Sequence, residues 1–254
     1  MKKSICIIFC LMMIVGLFTG CGSKNNGNPT DNTKKPSSKI ATIDSKEMKT
    51  NLSTSEYTLY QNIFYNDQKN DYNKKDAKKE GTFATLYDAF NKVERYYVWG
   101  YNDNTKCCDW QWEIKFDKDS DKPTNGSYVE VTGKYEVNDD ALDKFWIINP
   151  KITVKEAYED RGFDIDMCSM SGTLQYVEIQ NIVNLPDSFK GKTVCGYGRM
   201  QSAASVEDAY YDNKWALELS TDSEIPSFGT VVVFTGVAEN GALKNAKIYQ
   251  NTQY

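Results

Sequence analysis

A 28-residue pattern beginning at Asp109 recurs 103 residues later without a gap. Asp109 falls on Asp212, Trp112 on Trp215, Pro123 on Pro226, Gly126 on Gly229, Val129 on Val232, Thr132 on Thr235, Gly133 on Gly236 and Glu136 on Glu239. With Asp119 on Asp222 and Ser120 on Ser223 these make ten identities in 28 positions, among them a Trp, a Pro and two Gly, and mark an internal duplication. Within the first copy, Trp110, Trp112, Ile114 and Phe116 alternate with Gln111, Glu113, Lys115 and Asp117. Period two predicts a strand whose tryptophans enter a core while the polar set meets water. The same parity puts Trp215, Leu217 and Leu219 inside the second copy.

The rest of the duplicated region reads as short strands and turns. Tyr96–Tyr101 is predicted as a strand, and its V-x-G-Y returns at Val194–Tyr197. Gly133 and Gly236 mark a bend or bulge of the kind that closes a small barrel, and Asp117–Asn125 is expected to close a hairpin. Phe145–Val154 ends the first unit, and Asn240-Gly241 is a two-residue hairpin signal. Tyr57–Tyr65 and Tyr176–Ile182 share Y-x-x-x-Q-N-I and are read as the first strand of each unit. Phe83, Leu86, Tyr87 and Phe90 stand at helical spacing, so Thr82–Lys92 is predicted as the one short helix. Val231–Val237 is apolar on both faces, which requires the first unit or the connector 155–172 to cover it. The expected architecture is mainly β: two tandem small antiparallel barrels. The first spans 54–155, with a lysine- and aspartate-rich insertion at 66–80, and the second spans 173–254.

The N-terminus reads as an address. Lys2 and Lys3 precede an apolar run, Ile5–Phe18, that is short for a membrane span. It ends in L-F-T-G-C, with Phe18 where such motifs usually carry Leu, and resembles the lipobox of bacterial lipoproteins. The resemblance implies a signal peptide over 1–20, a diacylglycerol (palmitate-type) lipid on Cys21, and anchoring to the extracytoplasmic face of the cell membrane. Residues 21–50 follow as lipidated cysteine and flexible tether, since Gly22–Lys39 holds nothing able to seed a core. The V-x-G-Y and P-x-x-G-x-x-V-x-V-T-G segments resemble the OB-like domains of such lipoproteins. Asn138–Lys144 and Asn240–Asn245 are too short for the helix that an OB barrel carries between strands three and four, which leaves a helix-less barrel or sandwich open.

Composition removes whole classes of chemistry. There is no histidine, which eliminates Ser-His-Asp and Cys-His nucleophiles, His-bearing zinc sites and axial-His haem. No cofactor or metal is expected. Without Lys2 and Lys3 the remaining 28 basic and 35 acidic residues give a net charge of −7, the wrong sign for a nucleic-acid partner. The parts that remain suit a lipid-anchored binding or scaffold module with a cell-wall or protein ligand. The alternatives are an extracytoplasmic enzyme acting on cell-wall glycan through paired carboxylates, or thiol-based metal or redox handling. The candidate ligand surface is Tyr97, Trp99 and Tyr101, which share the face of their strand opposite Val98 and Gly100; burial against the barrel end is the competing reading. Cys107, Cys108, Cys168 and Cys195 form the candidate disulfide or thiol site. A vicinal bond is strained, so a bond from Cys107 or Cys108 to Cys168 or Cys195 is expected.

Overall fold

The computed structural model describes residues 51–250 except 119, 159–160, 204, 208–213 and 220–224, with 214–219 and 250 described by backbone alone. The leader, Cys21 and the tether lie outside the described residues. Among the described residues no helix is long and apolar enough to cross a membrane.

Two helices come first, α1 (Thr54–Phe64) and the single turn α2 (Lys69–Tyr72). Strands β1 (Asp76–Asp88), β2 (Val93–Tyr101), β3 (Asp109–Ile114), β4 (Tyr128–Val137) and β5 (Phe145–Glu156) then close into a barrel of order β1-β2-β3-β5-β4. All pairs are antiparallel except β3–β5. This is the five-stranded OB arrangement. A connector carries the two-residue strand β6 (Ile165–Asp166) and a 3₁₀ turn, Met167–Ser169. Helices α3 (Gly172–Asn184) and α4 (Pro186–Phe189) follow, then β7 (Thr193–Ser202), β8 (Ser205–Glu207), β9 (Lys214–Leu219), β10 (Val231–Glu239) and β11 (Ala242–Gln250). Their order, β7-β8-β9-β11-β10, is closed by β10–β7 pairing, with β6 added alongside β7.

The duplication extends to the register. Gly81 pairs with Val129 as Gly198 pairs with Val232. Val98 faces Trp112 as Val206 faces Trp215, and Tyr135 faces Ile147 as Ala238 faces Leu243. The pairing slips at Gly133 in β4 and again at Gly236 in β10, so the expected bulge exists in both copies. Gly81 and Gly198 are needed for the same reason, because a Cβ on either would be driven into the carbonyl oxygen of the next strand, Trp99 or Glu207. Asn240 and Gly241 have φ of 53° and 76°, the left-handed pair that a two-residue hairpin requires.

Several expectations fail for physical reasons. Y-x-x-x-Q-N-I is a repeat marker, but it lies on helices. Ser53 caps α1 by accepting from Glu56 N, and Ser171 caps α3 by accepting from Leu174 N. The predicted helix Thr82–Lys92 is the second half of β1 and a turn that leaves Phe90 exposed. β1 is buried on both faces from Gly81 to Ala84, which hides the alternation of a strand. The insertion 66–80 supplies α2 and the first residues of β1. Asp117–Asn125 does not close a hairpin, because β3 pairs with β2 and β5 rather than β4. Asn138–Lys144 joins strands four and five, not three and four. V-x-G-Y is not a repeat marker, since β7 takes the place of β1 rather than β2.

Helix α1 packs against the first barrel through Ile63, Tyr60 and Phe64, with Tyr60 meeting Trp112 edge-on and Phe64 meeting it tilted. Inside, the Lys79 ammonium lies 4.5 Å from the Trp112 ring and 2.6 Å from Glu56. A single apolar cluster joins the units: Ala84, Leu86, Tyr97 and Trp99 of the first meet α3, Val194, Val232 and Phe234 of the second. The outer face of β10 is covered by the connector, where Val233 packs with Phe163 and Cys168, as its two-sided apolar pattern requires.

Candidate functional site

Alternation along β2 and β3 sets Arg95, Tyr97, Trp99 and Tyr101 beside Glu113, Gln111 and Asp109 on the face turned away from the barrel interior. In OB barrels the face of strands two and three, flanked by the loop between strands four and five, receives ligands. Here that face has two halves with different fates.

The aromatic half is closed. Tyr97, Trp99 and Tyr101 are 1%, 1% and 3% exposed, and Trp99 donates its indole N–H to the Ser169 carbonyl at 3.1 Å. Their rings lie in the cluster shared with the second unit. Of the two readings of this stripe, ligand surface or burial, the structure has burial: the three rings are worth more packed against α3 than left in water. Asp109 belongs to the same seam: its carboxylate accepts from Thr173 N at 2.9 Å and Thr173 Oγ1 at 2.7 Å.

The polar half is built around Arg95. Its guanidinium donates to Asp88 Oδ2, to Glu113 Oε1 at 2.8 Å and to the Asp140 carbonyl at 2.9 Å. Glu113 Oε2 in turn accepts from Leu142 N at 2.7 Å. These bonds dock the loop Asn138–Lys144 onto β2 and β3. Gln111 and Glu113, expected in water, are buried. Gln111 Nε2 donates to the Tyr60 hydroxyl at 2.9 Å, which brings α1 to the same place.

Three groups there lack partners. The Tyr97 hydroxyl and Gln111 Oε1 are buried without a hydrogen bond. Asp143, on the docked loop, accepts none from the described residues; burial raises its carboxyl, with Lys69 and Arg95 pulling the other way. Burial pushes up Tyr60, Tyr97 and Glu113, and the Asp143 charge adds to each, so these groups share one field. Asp143 nevertheless keeps part of its surface in solvent. Unpaired buried polar atoms in a native protein call for a partner. Two acceptors beside two phenols, in a field dominated by carboxylates, suit a ligand that presents donors and disfavour anions.

The cysteines meet within pairs, not across them. The sulfurs of Cys107 and Cys108 are 3.5 Å apart, and so are those of Cys168 and Cys195. The expected bond between a vicinal cysteine and Cys168 or Cys195 is not the arrangement found. Cys107 and Cys108 lie in the exposed β2–β3 loop, whereas the 3₁₀ turn sets Cys168 against Cys195 on β7. Asp166 completes a group of potential metal ligands with Cys168 and Cys195, all within 4.8 Å. Its Oδ2, however, is held by the Arg161 guanidinium, with Nε at 2.7 Å. A shallow groove on the outside of the first barrel, at the Gly133 bulge, carries Lys78 and Lys134, but both are ion-paired, to Glu130 and Asp76.

Sequence reasoning missed Arg95, Gln111, Glu113 and Asp143 as site residues. The one available signal was Arg95, one of three arginines in a lysine-rich chain, placed on a strand face with an acid opposite. Family models, curated proteins and solved structures give no match to this chain.

Proposed function

We propose that this chain is a lipid-anchored binding module on the extracytoplasmic face of a bacterial membrane, and that its ligand is a cell-wall glycan seated by its hydroxyls in a recess beside Arg95 and Asp143. The observation that carries this reading is the trio of unpartnered groups, Tyr97 Oη, Gln111 Oε1 and Asp143, where OB barrels take ligands. Sugar hydroxyls supply clustered donors at low charge. The lipobox-like leader and the polar tether support the location.

Titration calorimetry of the chain from residue 22 with soluble cell-wall glycan fragments tests it. Saturable binding is expected, weakened about tenfold or more by Asp143→Asn, in keeping with loss of a charge-assisted hydrogen bond. Binding that is absent, or indifferent to Asp143→Asn and Tyr97→Phe, would overturn the reading.

The raised carboxyls of Glu113 and Asp143 favour a second reading, glycan hydrolysis. Glu113 is engaged by Arg95 and Leu142 N, which leaves Asp143 alone free to exchange a proton. New reducing ends appearing on the same fragments would select the enzyme over the binding module.

A further inference from the structure

We infer that Cys168 and Cys195 are the two halves of a disulfide that fastens the connector to the first strand of the second barrel. The thiols come from positions 27 residues apart, one on the 3₁₀ turn and one on β7, and their sulfurs are already 3.5 Å apart. Cys195 is fully buried and Cys168 is 8% exposed, inside an apolar cluster with Phe163, Tyr197 and Val233. Rotation of side chains over about 1.5 Å brings the sulfurs to the roughly 2.05 Å of a bond. A metal is the competing occupant of paired thiols. It would find three ligand atoms, one of them on a carboxylate already neutralised by Arg161, where closed thiolate sites want four and no fixed cation. Cys107, exposed, and Cys108, half-buried, are adjacent in sequence, close no loop when joined and remain thiols.

The chemistry is exchange with an external disulfide. Cys168, the more accessible thiol, attacks one sulfur of the external disulfide as its thiolate and expels a small thiol. Cys195 then attacks the Cys168 sulfur of the mixed disulfide and expels the second. Two protein thiols become one bond, and the external disulfide leaves as two thiols carrying the two protons. The consequence reaches the seam between the barrels. The bonded turn is the one whose Ser169 carbonyl takes the Trp99 indole and whose Met167 carbonyl takes Gln175 Nε2. The bond forms whichever ligand the recess takes.

The test uses the chain from residue 22, exposed to oxidised glutathione, alkylated, digested with trypsin without reductant and weighed. Fragments 162–190 and 193–199 are expected joined, and fragment 107–115 alkylated at both cysteines. Reduction should lower Tm by on the order of 10 °C, from the loop the bond closes. A Cys107→Ser/Cys108→Ser variant should keep that drop, and a Cys168→Ala/Cys195→Ala variant should lose it. Alkylation of both Cys168 and Cys195 after oxidation overturns the inference. So does a link from either to 107–115, or one equivalent of metal retained by the reduced protein at those thiols.

Discussion

Glu178 lies on the face of α3 turned to the barrel seam, and its side chain is 1% exposed. Its carboxylate has one weak partner, Asn181 Nδ2 at 3.4 Å, and Lys192 is the nearby cation. Burial outweighs both and raises its pKa from 4.5 to about 8, so the folded chain holds a neutral carboxylic acid there at neutral pH. The unfolded chain has already lost that proton above 4.5. Stability from this group is therefore complete below pH 4.5 and drains away as pH climbs toward 8. The linkage relation gives a loss of about 3.5 kcal/mol between pH 5 and pH 8. Glu178→Gln keeps the shape and removes the proton, so its stability should be flatter with pH by about that amount and exceed the parent's at pH 8. Urea denaturation followed by tryptophan fluorescence across pH 5 to 8.5 measures the difference. Other raised acids, among them Asp109 and Asp166, tilt both proteins alike and cancel in the comparison. Parallel curves for parent and variant would refute the argument, since they would mean that Glu178 is charged in the folded state.

Gly81→Ala and Gly198→Ala each force a methyl into a strand carbonyl, and each should destabilise the chain by about 1–3 kcal/mol or more in urea melts. A neutral result at either position would break the equivalence of the two barrels. Cys21→Ala should release the full-length protein from membranes to the soluble fraction, checked by fractionation in high salt; retention would sink the lipid anchor.

What the sequence made legible is what depends on neighbours along the chain. The repeat, the parity of Trp110 and Trp112, the bulge glycines and the Asn240-Gly241 hairpin all follow from spacing within a strand or turn. The helices were misread although Ser53 stands three residues before Glu56, a capping signal that the aromatic content of Tyr57–Tyr65 obscured. β1 imitated a helix because its second face is covered by α3, almost a hundred residues further on, as Asn181 Nδ2 on the Tyr87 carbonyl records. The polar site around Arg95 was not legible at all. Gln111 and Glu113 have the alternation of solvent-facing residues, and only the docking of Asp140 and Leu142, some 30 residues away, turns that face inward.

The matched register also locates where the two copies differ in chain length. Equivalent positions are 117 residues apart in the first strand (Gly81 and Gly198) and 108 in the second (Val98 and Val206). They are 103 apart at the bulge (Gly133 and Gly236) but only 96 in the fifth strand (Ile147 and Leu243). The last drop, from 103 to 96, means that the second copy spends seven fewer residues between its fourth and fifth strands. Those seven correspond to Asn138–Lys144, the stretch that bears Asp143 and leans on Arg95. The second barrel thus lacks the loop that docks onto Arg95 and Glu113 in its sibling, and a bulge-and-hairpin frame is what remains. One copy carries the extra loop, while the other lends its core to the seam that buries its sibling's aromatic face; the pair is a duplication whose members no longer do the same work.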